Sequence, residues 1–143
     1  VRVLREAGRG VVATDLNAYD WPDGFHAQSR VDFLLEQKAP PGIGAIITNP
    51  PFKLAAQFVE HARHLCPVVI MLLRLAFYES ERRTKILEAG DLARVLVFRK
   101  RLPMMHRAGW TGKKASSGMA FAWFIYDRDH RGPTVLRRIS WEK

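Results

Sequence analysis

Two short aliphatic runs, Ile43 to Thr48 and Val68 to Leu73, flank one amphipathic stretch, Lys53 to Leu65. The first run stops at Asn49-Pro50-Pro51, because proline cannot donate to a sheet ladder. The stretch after it sets Leu54, Phe58, Ala62 and Leu65 on one helical face, with Lys53, Gln57, Glu60 and His64 opposite or beside it. Pro67 closes that helix, and the run from Val68 carries apolar residues on both faces, as a strand in a covered parallel sheet does. Two such strands joined through a helix require a crossover, and this predicts an α/β fold with a mainly parallel sheet.

The remaining segments extend the same plan. Val11-Val12-Ala13 before Thr14-Asp15 reads as a short buried strand ending in a carboxylate. Residues 17–30 are turn-rich around Pro22-Asp23-Gly24, and Val31 to Glu36 fits a helix or a strand. Glu79 to Ala89 reads as a second helix closed by Gly90, and Val95 to Phe98 as a further strand. A basic, glycine- and serine-containing loop follows, then an aromatic strand, Met119 to Tyr126, and a last strand, Thr134 to Ile139. A non-helical connection between these two predicts an antiparallel C-terminal strand pair. Ligands of open α/β sheets lie beyond the carboxyl ends of the strands, so Asp15 and Asn49 are expected on one edge.

With 143 residues the chain has room for one core, and residues 1–143 are read as a single domain. The longest aliphatic run falls far short of the roughly 20 residues that span a bilayer, so a soluble, cytoplasmic protein without a membrane partner is expected. Cys66 is the lone cysteine, which excludes an intrachain disulfide and a multi-cysteine zinc site. His61 and His64 lack a third ligand nearby, and no metal is expected. Charge is unevenly placed: residues 1–90 hold 11 Lys/Arg against 10 Asp/Glu, and residues 91–143 hold 12 against 4. The basic C-terminal part points to a polyanion, with nucleic acid the first candidate.

Asn49-Pro50-Pro51-Phe52 is the segment richest in chemistry. Its prolines stiffen a turn, the Asn49 amide oxygen and a proline-flanked carbonyl accept hydrogen bonds, and Phe52 offers an aromatic face. A planar amine held there donates two hydrogen bonds while its ring stacks. Acceptors on both amine hydrogens favour the pyramidal, nucleophilic form of an exocyclic amino group. In the basic loop, Arg101, Arg107, Lys113 and Lys114 surround Trp110, with Ser116 as a small donor. Cations for phosphates and an aromatic for a base suit nucleic-acid contact.

The tetrapeptide resembles the catalytic Asn/Asp-Pro-Pro-Tyr/Phe motif of amino-directed methyltransferases that use S-adenosylmethionine. Leu72 to Phe77 (LLRLAF), Arg101 to Ser117 and the run AFAWFIYDR are similar to small phage and prophage DNA methyltransferases, so the likeness covers most of the chain. It implies a Rossmann-like class I methyltransferase fold, S-adenosylmethionine as cofactor and adenine N6 in DNA as target. It also implies that Asp15, with Leu16 beside it, meets the cofactor ribose, and that Asp32 and Phe33 meet its adenine. Asn49 and Pro50 would hold the target amine, close to the cofactor, with Pro51 completing the turn and Phe52 stacking on the base. A duplex target would be flipped out of its stack.

The likeness breaks at the start. Val3, Leu4 and Ala7 read as the last turns of a helix, and Gly8-Arg9-Gly10 closes that helix rather than opening a cofactor loop. The family's first strand and glycine-rich loop are therefore expected to be missing, leaving an N-terminally incomplete domain. Two other readings stay open: methyl transfer to an RNA base or a protein glutamine, and a non-catalytic nucleic-acid-binding remnant.

Overall fold

A computed structural model describes residues 1–18, 27–103, 111 and 116–142. They divide into two compact units, Val1–Lys38 and Ala39–Lys143. Among the described residues every fully buried apolar side chain belongs to the second unit. The turn expected around Pro22-Asp23-Gly24 lies outside the described residues.

The first unit holds α1 (Arg2–Glu6), ended by Gly8 at φ +73°. The expected strand at Val11-Val12-Ala13 is not formed among the described residues; a single parallel bridge joins Thr14 to Gln28 instead. Val12 is exposed, so this run gains too little burial to hold a ladder. The ambiguous segment after Arg30 resolves as a 3₁₀ turn, Phe33–Leu35, capped by Asp32, whose Oδ1 accepts from the Leu34 N–H.

The second unit is built on a five-stranded sheet in the order β1-β2-β4-β3-β5. Its strands are β1 (Ala45–Thr48), β2 (Val68–Arg74), β3 (Leu92–Phe98), β4 (Phe121–Asp127) and β5 (Val135–Ile139). β1 runs parallel to β2 and β3 parallel to β5, while β4 is antiparallel to both β2 and β3. Four strands thus share one direction and β4 alone is reversed. The antiparallel C-terminal pair is corrected: β4 and β5 are not neighbours. β4 inserts between β2 and β3 because its alternating Ala122, Phe124 and Tyr126 complete the buried face begun by Val69, Met71 and Leu73.

α2 (Ala55–Leu65) packs against β2. A 3₁₀ turn, Phe52–Leu54, precedes it, so Leu54 falls outside the α-helical register. The buried stripe is accordingly Ala55, Val59 and Ala62 rather than the face centred on Phe58, and its small residues bring the helix close to the sheet. The second expected helix is shorter than Glu79 to Ala89: a 3₁₀ turn at Glu81–Arg83 leads into α3 (Thr84–Leu87). Local bonds compete with a longer helix there, since Thr84 Oγ1 donates to the Glu81 carbonyl and Arg83 Nη1 to the Phe77 carbonyl. The face opposite α2 is only half-buried along β2 and β4, which corrects the expectation of a strand covered equally on both sides. Among the described residues no helix is long and apolar enough to cross a membrane.

Candidate functional site

β1 delivers Asn49 to the carboxyl edge of the sheet, where Thr48 pairs with Met71 and the ladder ends. Pro50 is buried and fixes the exit of the chain, and Asn49 is exposed with no hydrogen bond from its side-chain amide to a described residue. The Leu54 N–H donates to the Pro51 carbonyl at 2.9 Å, closing the 3₁₀ turn that presents Phe52. Phe52 is 42% exposed, a large aromatic surface at an edge where such folds bind ligands.

What lies behind that ring comes from β2 and β4. The Arg74 guanidinium carbon sits 3.7 Å from the centroid of the Phe52 ring. Phe121, the cross-strand partner of Arg74, lies 5.8 Å from Phe52 with the rings tilted by 43°. Arg74 Nε is buried without a hydrogen-bond partner among the described residues. A stacked guanidinium and a second ring therefore brace Phe52, which stays 42% exposed. Asn49-Pro50-Pro51-Phe52 lies between the end of β1 and the 3₁₀ turn that starts at Phe52. Arg74 and Phe121 are the residues to which sequence reasoning gave no role. The available signal was a cation closing an apolar strand, next in space to the strand that ends at Asn49.

The proposed cofactor contacts lie in the first unit. The Asp15 N–H donates to the Gln28 carbonyl, and the Val31 N–H to the Asp15 carbonyl, so the backbone sets Asp15 beside the residue that precedes Asp32. Asp15 Oδ1 accepts from the Asn17 N–H at 2.8 Å, and Asp32 Oδ1 from the Leu34 N–H at 3.0 Å. Each carboxylate keeps its second oxygen without a hydrogen bond to a described residue, and Leu16 is 60% exposed beside Asp15. Two carboxylate acceptors and an apolar surface, with Phe33 next to Asp32, fit the diol and amine of a nucleoside. Asp15 follows a bridge rather than a strand, which leaves Asn49 as the described site residue at a strand end.

Of the residues expected to contact nucleic acid, Arg101 and Ser116 are exposed. Ser116 forms an isolated antiparallel bridge with Pro103, two residues after Arg101, reinforced by the Ser117 N–H donating to the Leu102 carbonyl at 2.8 Å. Arg107, Trp110, Lys113 and Lys114 lie outside the described residues. Phe124 is fully buried, whereas Trp123 is half-buried on the more open sheet face.

A shallow depression at the opposite sheet edge is lined by Arg63, Cys66, Asp91 and Arg128. Arg63 pairs with Asp91 at 2.6 Å, and Arg128 Nη2 donates to the Arg63 carbonyl at 2.8 Å. These groups tie the end of α2 to the sheet. Burial pushes the Cys66 thiol up in pKa, against the pull of Arg128, so it stays protonated and unreactive. Among the described residues no group of three His, Cys, Asp or Glu side chains is placed to hold a metal ion. No family model, curated protein or solved structure matches the chain.

Proposed function

We propose that the chain is an S-adenosylmethionine-dependent methyltransferase acting on an exocyclic amine, with adenine N6 in DNA as its first target and a Rossmann-like class I fold. The observation that carries this reading is the Asn49-Pro50-Pro51-Phe52 turn at a strand's carboxyl end, with an exposed amide that bonds no described residue and a braced, partly exposed ring.

Asn49 Oδ1 and the Pro50 carbonyl accept the two amine hydrogens, turning the nitrogen lone pair out of conjugation with the base. Phe52 stacks on the base and holds it in line for attack, so that rate comes from orientation and from acceptors placed in advance. After transfer the amine proton leaves to solvent, and no covalent link to the protein is needed. Asp15 and Asp32 would hold the ribose and adenine of the cofactor, which supplies a methyl group on a sulfonium.

Calorimetric titration of S-adenosylmethionine, followed by methyl-transfer assays on DNA, RNA and protein, tests the proposal. Saturable binding weakened by Asp15→Ala, with methyl incorporation lost in Asn49→Ala, supports it. Nucleic-acid binding without cofactor binding would favour the non-catalytic remnant, and label in RNA or in protein glutamine would change the substrate only.

A further inference from the structure

The edge strand β5 carries a second cluster outside the basic loop. Arg137 and Arg138 are exposed on it, and Trp141, just beyond its end, is 43% exposed. The Arg99 N–H donates to the Ile139 carbonyl at 2.9 Å, which brings exposed Arg99, Lys100 and Arg101 alongside. Lys100 is paired with Glu142 at 2.6 Å, but Arg99, Arg101, Arg137 and Arg138 form no ion pair among the described residues. Register fixes the direction of this cluster. Leu72, Trp123, Leu96 and Arg137 form one row across four strands, and Arg74 with Phe121 begins the next row toward the carboxyl edge. Arg137 therefore shares the sheet face of Arg74 and Phe121, three strand spacings from Arg74, about 14 Å at ~4.8 Å each, whereas Arg138, in the row of Val97 and Ala122, projects from the opposite face at the rim of the sheet.

We infer that β5 and the segment after it form a phosphate-backbone track for nucleic acid, with Arg137 on a phosphate along the face of Arg74, Arg138 on a phosphate where the backbone passes the open rim of the edge strand, and Trp141 stacking on a base. This deepens the proposed function by extending its substrate contact from Phe52 along the sheet. A span of about 14 Å covers roughly four phosphates of one strand at ~3.4 Å each. Arginines without an ion pair among the described residues offer forked donors that match phosphate oxygens, and an exposed indole just beyond them in the chain suits a base more than a carboxylate-rich protein.

Fluorescence anisotropy with a labelled oligonucleotide, single-stranded and duplex, between about 50 and 200 mM salt, tests the track. In Arg137→Gln/Arg138→Gln the slope of log affinity against log salt on duplex should fall in magnitude by about 1.8, at ~0.9 per phosphate lost. Arg82→Gln/Lys85→Gln removes the same charge from exposed positions elsewhere on the second unit and should leave the slope as in wild type. Trp141→Leu should weaken single-strand binding about tenfold with little change in slope.

Equal slopes in the two double variants would overturn the inference. So would self-association as the one change in the β5 variant, which would make its arginines guards of an open edge. Binding of wild type to anionic vesicles but not to oligonucleotides would overturn it as well. Methyl transfer is read separately. Its absence alongside the expected slopes refutes the catalytic reading and leaves the track standing, and its presence alongside unchanged slopes does the reverse.

Discussion

Asn49 and Phe52 divide the proposed chemistry between an acceptor and a stacking surface, and their variants should fail differently. Asn49→Ala removes a preplaced acceptor, so kcat should fall about 10²–10³-fold while nucleic-acid affinity holds. Phe52→Ala loses base stacking worth about 1–3 kcal/mol, and its deficit should appear largely in KM. Steady-state kinetics on one DNA substrate separate the two. Tyr126 offers a test of the core. Its ring is buried beside Phe124 and its hydroxyl has no partner among the described residues. Burial raises its pKa well above the ordinary tyrosine value, with Arg63 opposing and Asp91 adding to the rise. The folded chain therefore keeps the phenol protonated where the unfolded chain ionises. Stability from this group is complete below about pH 10 and is lost above it, by up to ~1.4 kcal/mol per pH unit. Tyr126→Phe should flatten that alkaline loss and, by removing an unsatisfied hydroxyl, stabilise the fold by about 1 kcal/mol at neutral pH. Urea melts at pH 8 and pH 11 check both signs.

At the level of elements, stability rests on the sheet face under α2, where Val59, Ala62, Val69, Met71 and Phe124 are all fully buried. Phe124→Ala should cost about 3–5 kcal/mol, whereas Ile125→Ala, on the half-buried face, should cost clearly less; chemical denaturation of the pair checks the asymmetry. Much of this layout is legible in local sequence. Pro50-Pro51 marks the end of β1, Pro67 the end of α2, and the aromatic alternation of β4 its strand character. What is not legible depends on distant partners. Arg74 meets Phe52 because the β2–β4 register sets it against Phe121, and no pattern within either strand encodes that register. The insertion of β4 between β2 and β3 is likewise a choice between neighbours with similar apolar faces. Val11-Val12-Ala13 misleads for the same reason, since an apolar run becomes a strand only where a ladder accepts it.

For the whole molecule, the uneven charge and the topology converge on one side of the sheet. Asn49, Phe52 and Arg74 stand at its carboxyl edge, and the ends of β3 and β5 add cations to the same edge. A molecule of this kind should bind nucleic acid with steep salt dependence even when its chemistry is removed. Asn49→Ala should therefore retain the wild-type salt slope, and that separates binding from transfer. The most direct measurement is methyl incorporation from labelled S-adenosylmethionine into DNA, RNA and protein offered in parallel to wild type and Asn49→Ala. The expected result is label on adenine N6 of DNA with wild type and, at equal times, about 10²–10³-fold less with the variant. Equal label from both proteins, or no label in any substrate from a wild type that binds the cofactor, would contradict an amino-methyltransferase built on Asn49.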